Sequence, residues 1–81
     1  MTPVQAKAAD PMERLIAEIR DYQRRYRLSD RALAAKLGLP RTTWRAIRIR
    51  EYRPRLQFAQ DCLPLVEFRD AALNVLVPEK P

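Results

Sequence analysis

The sequence predicts an all-helical fold, and three observations lead to that fold class. The 81-residue chain contains a single glycine, whereas turn-rich β architectures need more. Arg, Ala and Leu, which favour helices, are abundant. Apolar residues recur at three- and four-residue steps along several segments. We therefore expect a single domain of four to five helices over residues 10–77, between a flexible arm at residues 1–9 and a tail at residues 78–81.

The first helix is expected to begin at Asp10 and to end near Tyr26. Asp10 is a suitable capping residue, Pro11 suits the first helical position, and Glu13 completes a box-like arrangement with Asp10. The residues expected on its buried face are Met12, Leu15, Ile16, Ile19, Tyr22 and Tyr26.

The second and third helices are expected on either side of Gly38. Ser29 is the predicted N-cap of the second helix, and Gly38 suits a left-handed helix end. Pro40 is expected near the first position of the third helix. The predicted buried residues of this region are Leu33, Leu37, Leu39, Trp44 and Ile47.

The C-terminal third is expected to contain a fourth helix from Pro54 to about Leu63. Its predicted inward residues are Leu56, Ala59, Cys62 and Leu63, with Phe58 nearby, and Cys62 is interpreted as a core residue. Helical spacing resumes after Pro64, although residues 73–77 are equally compatible with a short strand.

Charge is the first indication of function. The chain has a net charge of +6, and the stretch from Arg20 to Arg55 holds twelve basic and three acidic residues. Most of the basic residues are arginines, whose planar side chain can bond two acceptors of a phosphate or base at once. This pattern predicts a surface that binds a polyanion, with an ordinary solvated charged surface as the alternative.

Composition also argues against several classes of protein. With no histidine and only one cysteine, the chain cannot form zinc-finger sites, Ser-His-Asp triads or an intrachain disulfide. We therefore expect neither an enzyme nor a bound metal, cofactor or small-molecule ligand. No apolar run approaches the ~20 residues of a membrane span, and the N-terminus lacks the apolar core of a signal peptide. A cytoplasmic protein without a membrane partner is expected.

The segment from Ser29 to Ile47, SDRALAAKLGLPRTTWRAI, resembles the helix-turn-helix of Cro/CI-type (XRE-like) transcriptional regulators. The likeness extends over about residues 12–63 and implies a lambda-repressor-like DNA-binding domain with its motif at residues 29–50. Arg50-Glu51-Tyr52-Arg53-Pro54 resembles the family's loop after the recognition helix, where a glycine often stands in place of Arg50. The end of this region is similar to small phage or mobile-element repressors such as anti-CRISPR-associated regulators, which bind inverted repeats as dimers.

The resemblance assigns roles to individual residues. With Trp44 and Ile47 turned inward, the exposed side of the third helix is expected to contact base edges in the major groove through Arg41, Thr42, Arg45 and Ala46. By position in the family, the phosphate contacts are expected to be Ser29, Arg31, Arg48, Arg50, Arg53 and Arg55.

A dimer would place two recognition helices about one DNA turn, ~34 Å, apart. Its predicted interface lies within residues 64–77 and consists of Leu65, Val66, Phe68, Leu73, Val75 and Leu76. For Leu65 and Phe68, packing in the core beneath the first helix is an equally good interpretation.

Together these features predict a bacterial or phage-encoded, nucleoid-associated regulator that binds a palindromic operator in double-stranded DNA as a homodimer. Repression, including repression of its own gene, is favoured over activation because so short a chain has little surface for contacting polymerase. Two alternatives stay open. One is a protein-interaction module, such as an antitoxin or anti-activator whose basic face meets an acidic partner. The other is a helical bundle with an arginine-rich surface and no role with nucleic acid.

Overall fold

The computed structural model describes residues 10–77, which are all-helical and contain no strand. Their order is α1 (Pro11–Arg25), α2 (Asp30–Leu37), α3 (Arg41–Arg48), α4 (Leu56–Cys62), a 3₁₀ turn (Val66–Phe68) and α5 (Arg69–Leu76). The predicted arm at residues 1–9 and tail at residues 78–81 lie outside the described residues. Within them, no helix combines the length and apolar character that crossing a membrane requires.

Helix α1 forms because its apolar residues recur on one face, and most of that face is buried as predicted. Tyr22 is half-buried, and the expectation for Tyr26 is wrong, because Tyr26 follows the last helical residue and is 56% exposed. Pro11 stands at its start, and Met12, Leu15, Ile16 and Ile19 are buried in the core. The predicted cap is corrected in one respect. Asp10 occupies the N-cap position but makes no capping hydrogen bond with its side chain. Its carboxylate instead accepts a hydrogen bond from the Arg53 guanidinium over 2.6 Å.

Helices α2 and α3 are joined by the short turn at residues 38–40. The Ser29 hydroxyl accepts a hydrogen bond from the Ala32 backbone N–H over 3.0 Å, which confirms Ser29 as the N-cap of α2. Gly38 ends α2 with a φ of +76°, the left-handed conformation that glycine adopts most easily. Pro40 occupies the capping position before α3, one residue ahead of the first helical residue.

Two further helix ends adopt the left-handed conformation without glycine. Arg27 follows α1 with a φ of +54°, and Arg50 follows α3 with a φ of +67°. In both places a backbone N–H reaches back to a carbonyl five residues earlier, from Leu28 to Gln23 over 2.9 Å and from Glu51 to Ala46 over 2.8 Å. The same bond links Leu39 to Ala34 around Gly38. Three helices therefore end in the same Schellman geometry, and arginine occupies the strained position twice.

Helix α4 begins later than predicted. Pro54 is a buried loop residue, Arg55 is the N-cap, and the first helical residue is Leu56. The expectation that Leu56 faces inward is wrong, because its side chain is 58% exposed. Phe58, Ala59 and Cys62 form the buried face of this helix, and Leu56 lies on the opposite side.

The C-terminal segment closes the core. Residues 73–76 are helical, which settles the open choice between helix and strand up to Leu76. Helix α5 packs against α1 and α4. Phe68 is fully buried and meets the Tyr22 ring of α1 edge-on, with 5.3 Å between ring centroids. Phe68 is thus a core residue beneath the first helix, the second of its two predicted roles.

The core is continuous across all five helices. It comprises Met12, Leu15, Ile16, Ile19, Leu33, Ala34, Leu37, Trp44, Ile47, Phe58, Ala59, Cys62, Phe68, Ala71 and Ala72. Burial raises the pKa of the Cys62 thiol to about 12, which agrees with its interpretation as a core residue.

Candidate nucleic-acid interface

Helix α3 is held in the core by two large side chains on one face. Trp44 and Ile47 are fully buried, and both were predicted to be. A residue three or four positions away lies on the same face of a helix, so the other positions of α3 turn outward. Arg41, Thr42 and Arg45 are exposed, as a DNA-reading surface requires.

Ala46, the fourth predicted base contact, has a different environment. It is half-buried, and its carbonyl accepts backbone hydrogen bonds from Glu51 at 2.8 Å and Tyr52 at 3.2 Å. Its backbone is therefore part of the turn that ends α3, and only its methyl group is available to a partner.

An open cleft joins the start of α2 to the start of α3. We call it the α2–α3 cleft, and its lining residues are Ser29, Asp30, Arg31, Arg41, Thr42 and Arg45. It brings together three predicted base contacts and two predicted phosphate contacts. The first turn of α2 supplies backbone N–H groups and the positive end of a helix dipole to this cleft.

Asp30 is the single carboxylate in that lining, and an arginine neutralises it. The Arg48 guanidinium donates to both Asp30 oxygens, from Nε to Oδ1 over 3.1 Å and from Nη2 to Oδ2 over 2.8 Å. A hydrogen bond from Gln23, together with the paired Arg48, lowers the pKa of Asp30 below its usual value. The α2–α3 cleft therefore keeps an excess of positive charge.

Gln23 positions α2 and α3 against α1, and it was not predicted to do so from the sequence. Its amide Nε2 donates to Asp30 Oδ1 over 2.9 Å, and its Oε1 accepts from Trp44 Nε1 over 3.2 Å. Gln23 follows Ile16 and Ile19 at helical spacing on the apolar face of α1. A polar residue on an apolar face needs a buried partner, and that signal was present in the sequence.

Six phosphate contacts were predicted, and one of them, Ser29, is exposed and caps α2 with its hydroxyl. The five arginines among them fall into three groups. Arg48 is half-buried and held by its bidentate bond to Asp30, so it positions α2 against α3. Arg50 pairs with Glu13 over 2.9 Å and Arg53 with Asp10 over 2.6 Å, but about two thirds of each arginine side chain is exposed. Pairs as exposed as these contribute little to stability. Arg31 and Arg55 form no ion pair with another residue of the 10–77 stretch.

The predicted dimer residues are only partly accessible. Phe68 is buried, while Leu65, Val75 and Leu76 are half-buried against the core. Val66 is 71% exposed and Leu73 is 42% exposed, and Val77, which was not among the predicted interface residues, is 69% exposed. A partner would therefore meet mainly Val66, Leu73 and Val77.

Comparison with protein-family models, with curated proteins and with solved structures finds no match to this chain.

Proposed function

We propose that this protein binds double-stranded DNA in a sequence-specific manner and represses transcription as a dimer. In this proposal α2 and α3 form a helix-turn-helix of the Cro/CI type. The observation that carries it is the α2–α3 cleft, in which Arg41 and Arg45 stand exposed beside the start of α2. Neither arginine forms an ion pair with any other residue between 10 and 77.

In this proposal, residues in the first two turns of α3 contact the base edges. A helix that enters the major groove by its N-terminal end places these residues deepest. Arg41 and Arg45 each present a planar fork that matches the O6 and N7 acceptors of guanine. Thr42 offers a hydroxyl to a base edge or a methyl group to thymine, and the Ala46 methyl is suited to a thymine methyl.

Phosphate contacts surround that helix. Arg31 and the backbone N–H groups at the start of α2 lie on one side of the base-reading residues, and Arg55 follows the loop on the other. Arg50 and Arg53 can exchange their weakly held carboxylates for phosphate oxygens. Arg50 and Arg53 would then contact phosphates in the DNA complex, whereas in the free protein they pair with Glu13 and Asp10 at the start of α1.

A second copy would double the recognition surface. The exposed apolar residues Val66, Leu73 and Val77 support a symmetric contact between copies, because a twofold dimer needs one self-complementary patch. Two copies bound to an inverted repeat that overlaps a promoter would exclude polymerase from it.

The test is to select duplexes from a random pool with the wild-type protein and to measure fluorescence anisotropy with one selected duplex and one unselected duplex. We expect a clear preference for the selected duplex and an affinity that falls steeply with salt. Arg45→Ala should weaken the selected duplex by about 1–3 kcal/mol and leave the unselected one nearly unchanged. Arg25→Ala, on another face of the molecule, is the matched control.

Two outcomes would overturn the proposal. One is no measurable DNA binding in 50 mM salt, and the other is equal affinity for all duplexes. In the first case, an acidic protein partner becomes the better explanation of the arginine-rich surface.

A further inference from the structure

We infer that the DNA interface continues onto α1, where Arg20, Arg24 and Arg27 form a second phosphate-binding surface. We call these three residues the α1 strip. The inference rests on the proposed function and extends it to a face that the family resemblance did not assign.

The α1 strip lines an open groove between α1, the loop that follows it and the end of α3. The groove residues are Arg20, Gln23, Arg24, Arg27, Leu28, Asp30 and Arg48. Asp30 is the only carboxylate among them, and Arg48 and Gln23 already hold it. Arg24 also pairs with Asp21 outside this lining, but both side chains are more than half exposed, so the pair is weakly held. The groove therefore has four arginines and one neutralised carboxylate in its lining, and such a groove attracts an extended anion.

This groove lies next to the α2–α3 cleft, because Asp30 lines both of them. A DNA strand whose phosphates meet Ser29 and Arg31 at the start of α2 would next pass Arg27. Phosphate contacts on both sides of the α2 start fix the register of the protein on its site.

Arg27 supplies an independent observation. It holds a left-handed backbone with a φ of +54°, where glycine is least strained. Its side chain is exposed and forms neither an ion pair nor a hydrogen bond with another residue in the described stretch. Neither packing nor pairing accounts for a long cation at this position, whereas a phosphate partner does.

The variants that test the strip are Arg27→Gly and Arg20→Gln. The matched control is Arg25→Gln, which removes the same charge from the same helix on the side that carries Glu18 and Asp21. The probes are one duplex selected by the wild-type protein and one unselected duplex of equal length, both titrated at several salt concentrations.

Each strip variant should weaken both duplexes alike, by about fivefold in 0.1 M salt, and should reduce the salt slope by about 0.9. Arg25→Gln should stay within about twofold of wild type. Arg27→Gly should at the same time raise the melting temperature by a few degrees, because glycine relieves the backbone strain. Weaker binding by a more stable protein separates a lost phosphate contact from partial unfolding.

Strip variants that bind as tightly as Arg25→Gln would overturn the inference, and the proposed function would stand if Arg45→Ala still lost its preference for the selected duplex. A loss confined to the selected duplex would also overturn it, since phosphate contacts carry no sequence information. A wild-type protein that binds neither duplex would overturn both proposals.

Discussion

The indole Nε1 of Trp44 donates a hydrogen bond to Oε1 of Gln23 over 3.2 Å, which ties the centre of α3 to the last turns of α1. The same Gln23 amide donates to the Leu28 carbonyl over 3.1 Å and to Asp30 Oδ1 over 2.9 Å. One side chain thus joins α1, the following loop, the start of α2 and the buried side of α3. The positions of Arg41 and Arg45 depend on this network, because it sets how α3 lies against its neighbours.

Replacing Gln23 with methionine should destabilise the protein by about 1–3 kcal/mol, because the buried Trp44 N–H is left without a partner. Urea denaturation followed by circular dichroism measures the change. Gln57→Met is the matched control, since Gln57 is exposed and, among residues 10–77, its side chain bonds only Asp61, over 2.9 Å. Equal effects of the two substitutions would contradict the role given to Gln23.

Acid should weaken the contact between α2 and α3 through Asp30. Its pKa is lowered in the folded protein, first by the Gln23 hydrogen bond and then by Arg48. A carboxyl group with a lowered pKa stabilises the fold above its ordinary pKa and loses that contribution as pH falls through the folded value. We expect Asp30→Asn to destabilise the protein by about 1–2 kcal/mol at pH 7, and the difference from wild type to shrink below about pH 4.

Thermal denaturation at pH 7, 4 and 2.5 checks this expectation. Asp70→Asn is the control, because Asp70 is exposed and forms no ion pair with the other described residues. A difference between wild type and Asp30→Asn that stays constant over this range would show that the carboxylate charge does not stabilise α2 against α3.

Substituting Gly38 should reveal backbone strain alone. A Cβ atom built on Gly38 meets no other atom within 4 Å, so steric overlap contributes nothing. Gly38→Ala should therefore cost about 1 kcal/mol from the φ of +76°, and Gly38→Asn should cost less, because asparagine tolerates this conformation better. Urea denaturation of both variants tests the order, and a cost well above 2 kcal/mol for alanine would contradict a purely conformational effect.

The Cys62 thiol should react only when the protein unfolds. Burial raises its pKa to about 12, and only the thiolate attacks a disulfide reagent. At pH 8 the native protein should react with an aromatic disulfide about a thousandfold more slowly than the urea-unfolded chain. Absorbance of the released thiolate follows the reaction, and rapid labelling of the native protein would show that α4 opens readily.

Association in the proposed dimer should depend on the exposed apolar residues of the C-terminal segment, which include Leu73. Leu73→Asp should shift a dimer towards monomers without unfolding the chain, because the side chain is 42% exposed. Asn74→Asp adds the same charge at the next exposed position and should leave association unchanged. Sedimentation velocity over a range of concentrations compares the two, and equal association would place the interface elsewhere.

Helix starts and ends were predictable where one residue type has one physical role. Ser29 was correctly predicted to begin α2 and Gly38 to end it. A serine hydroxyl is well suited to cap a helix start, and a residue without Cβ is well suited to a left-handed helix end. The buried face of α3 was predictable from Trp44 and Ile47 for a related reason. Large apolar residues three positions apart on a helix belong in the core.

Long-range pairing was not predictable in the same way. The left-handed helix ends at Arg27 and Arg50 were not predictable from the residue type, since arginine is unusual at such positions, and only the family resemblance pointed to Arg50 as a place where glycine is common. The pairs of Asp10 with Arg53 and of Glu13 with Arg50 link residues far apart in sequence, and many arginines competed for each acid. Leu56 was placed inward because its apolar character suggested burial, but the true start of α4 rotates it towards solvent.

Trp44 is the only tryptophan in the chain, and its indole lies fully buried directly behind the exposed arginines of α3. The tryptophan fluorescence of the protein therefore comes from one side chain at a known position. That emission should be blue-shifted in the native state and should shift to the red when the core opens. A change that accompanies ligand binding without such a red shift would report movement of α3 itself, so the molecule contains its own optical probe at the centre of the proposed reading surface.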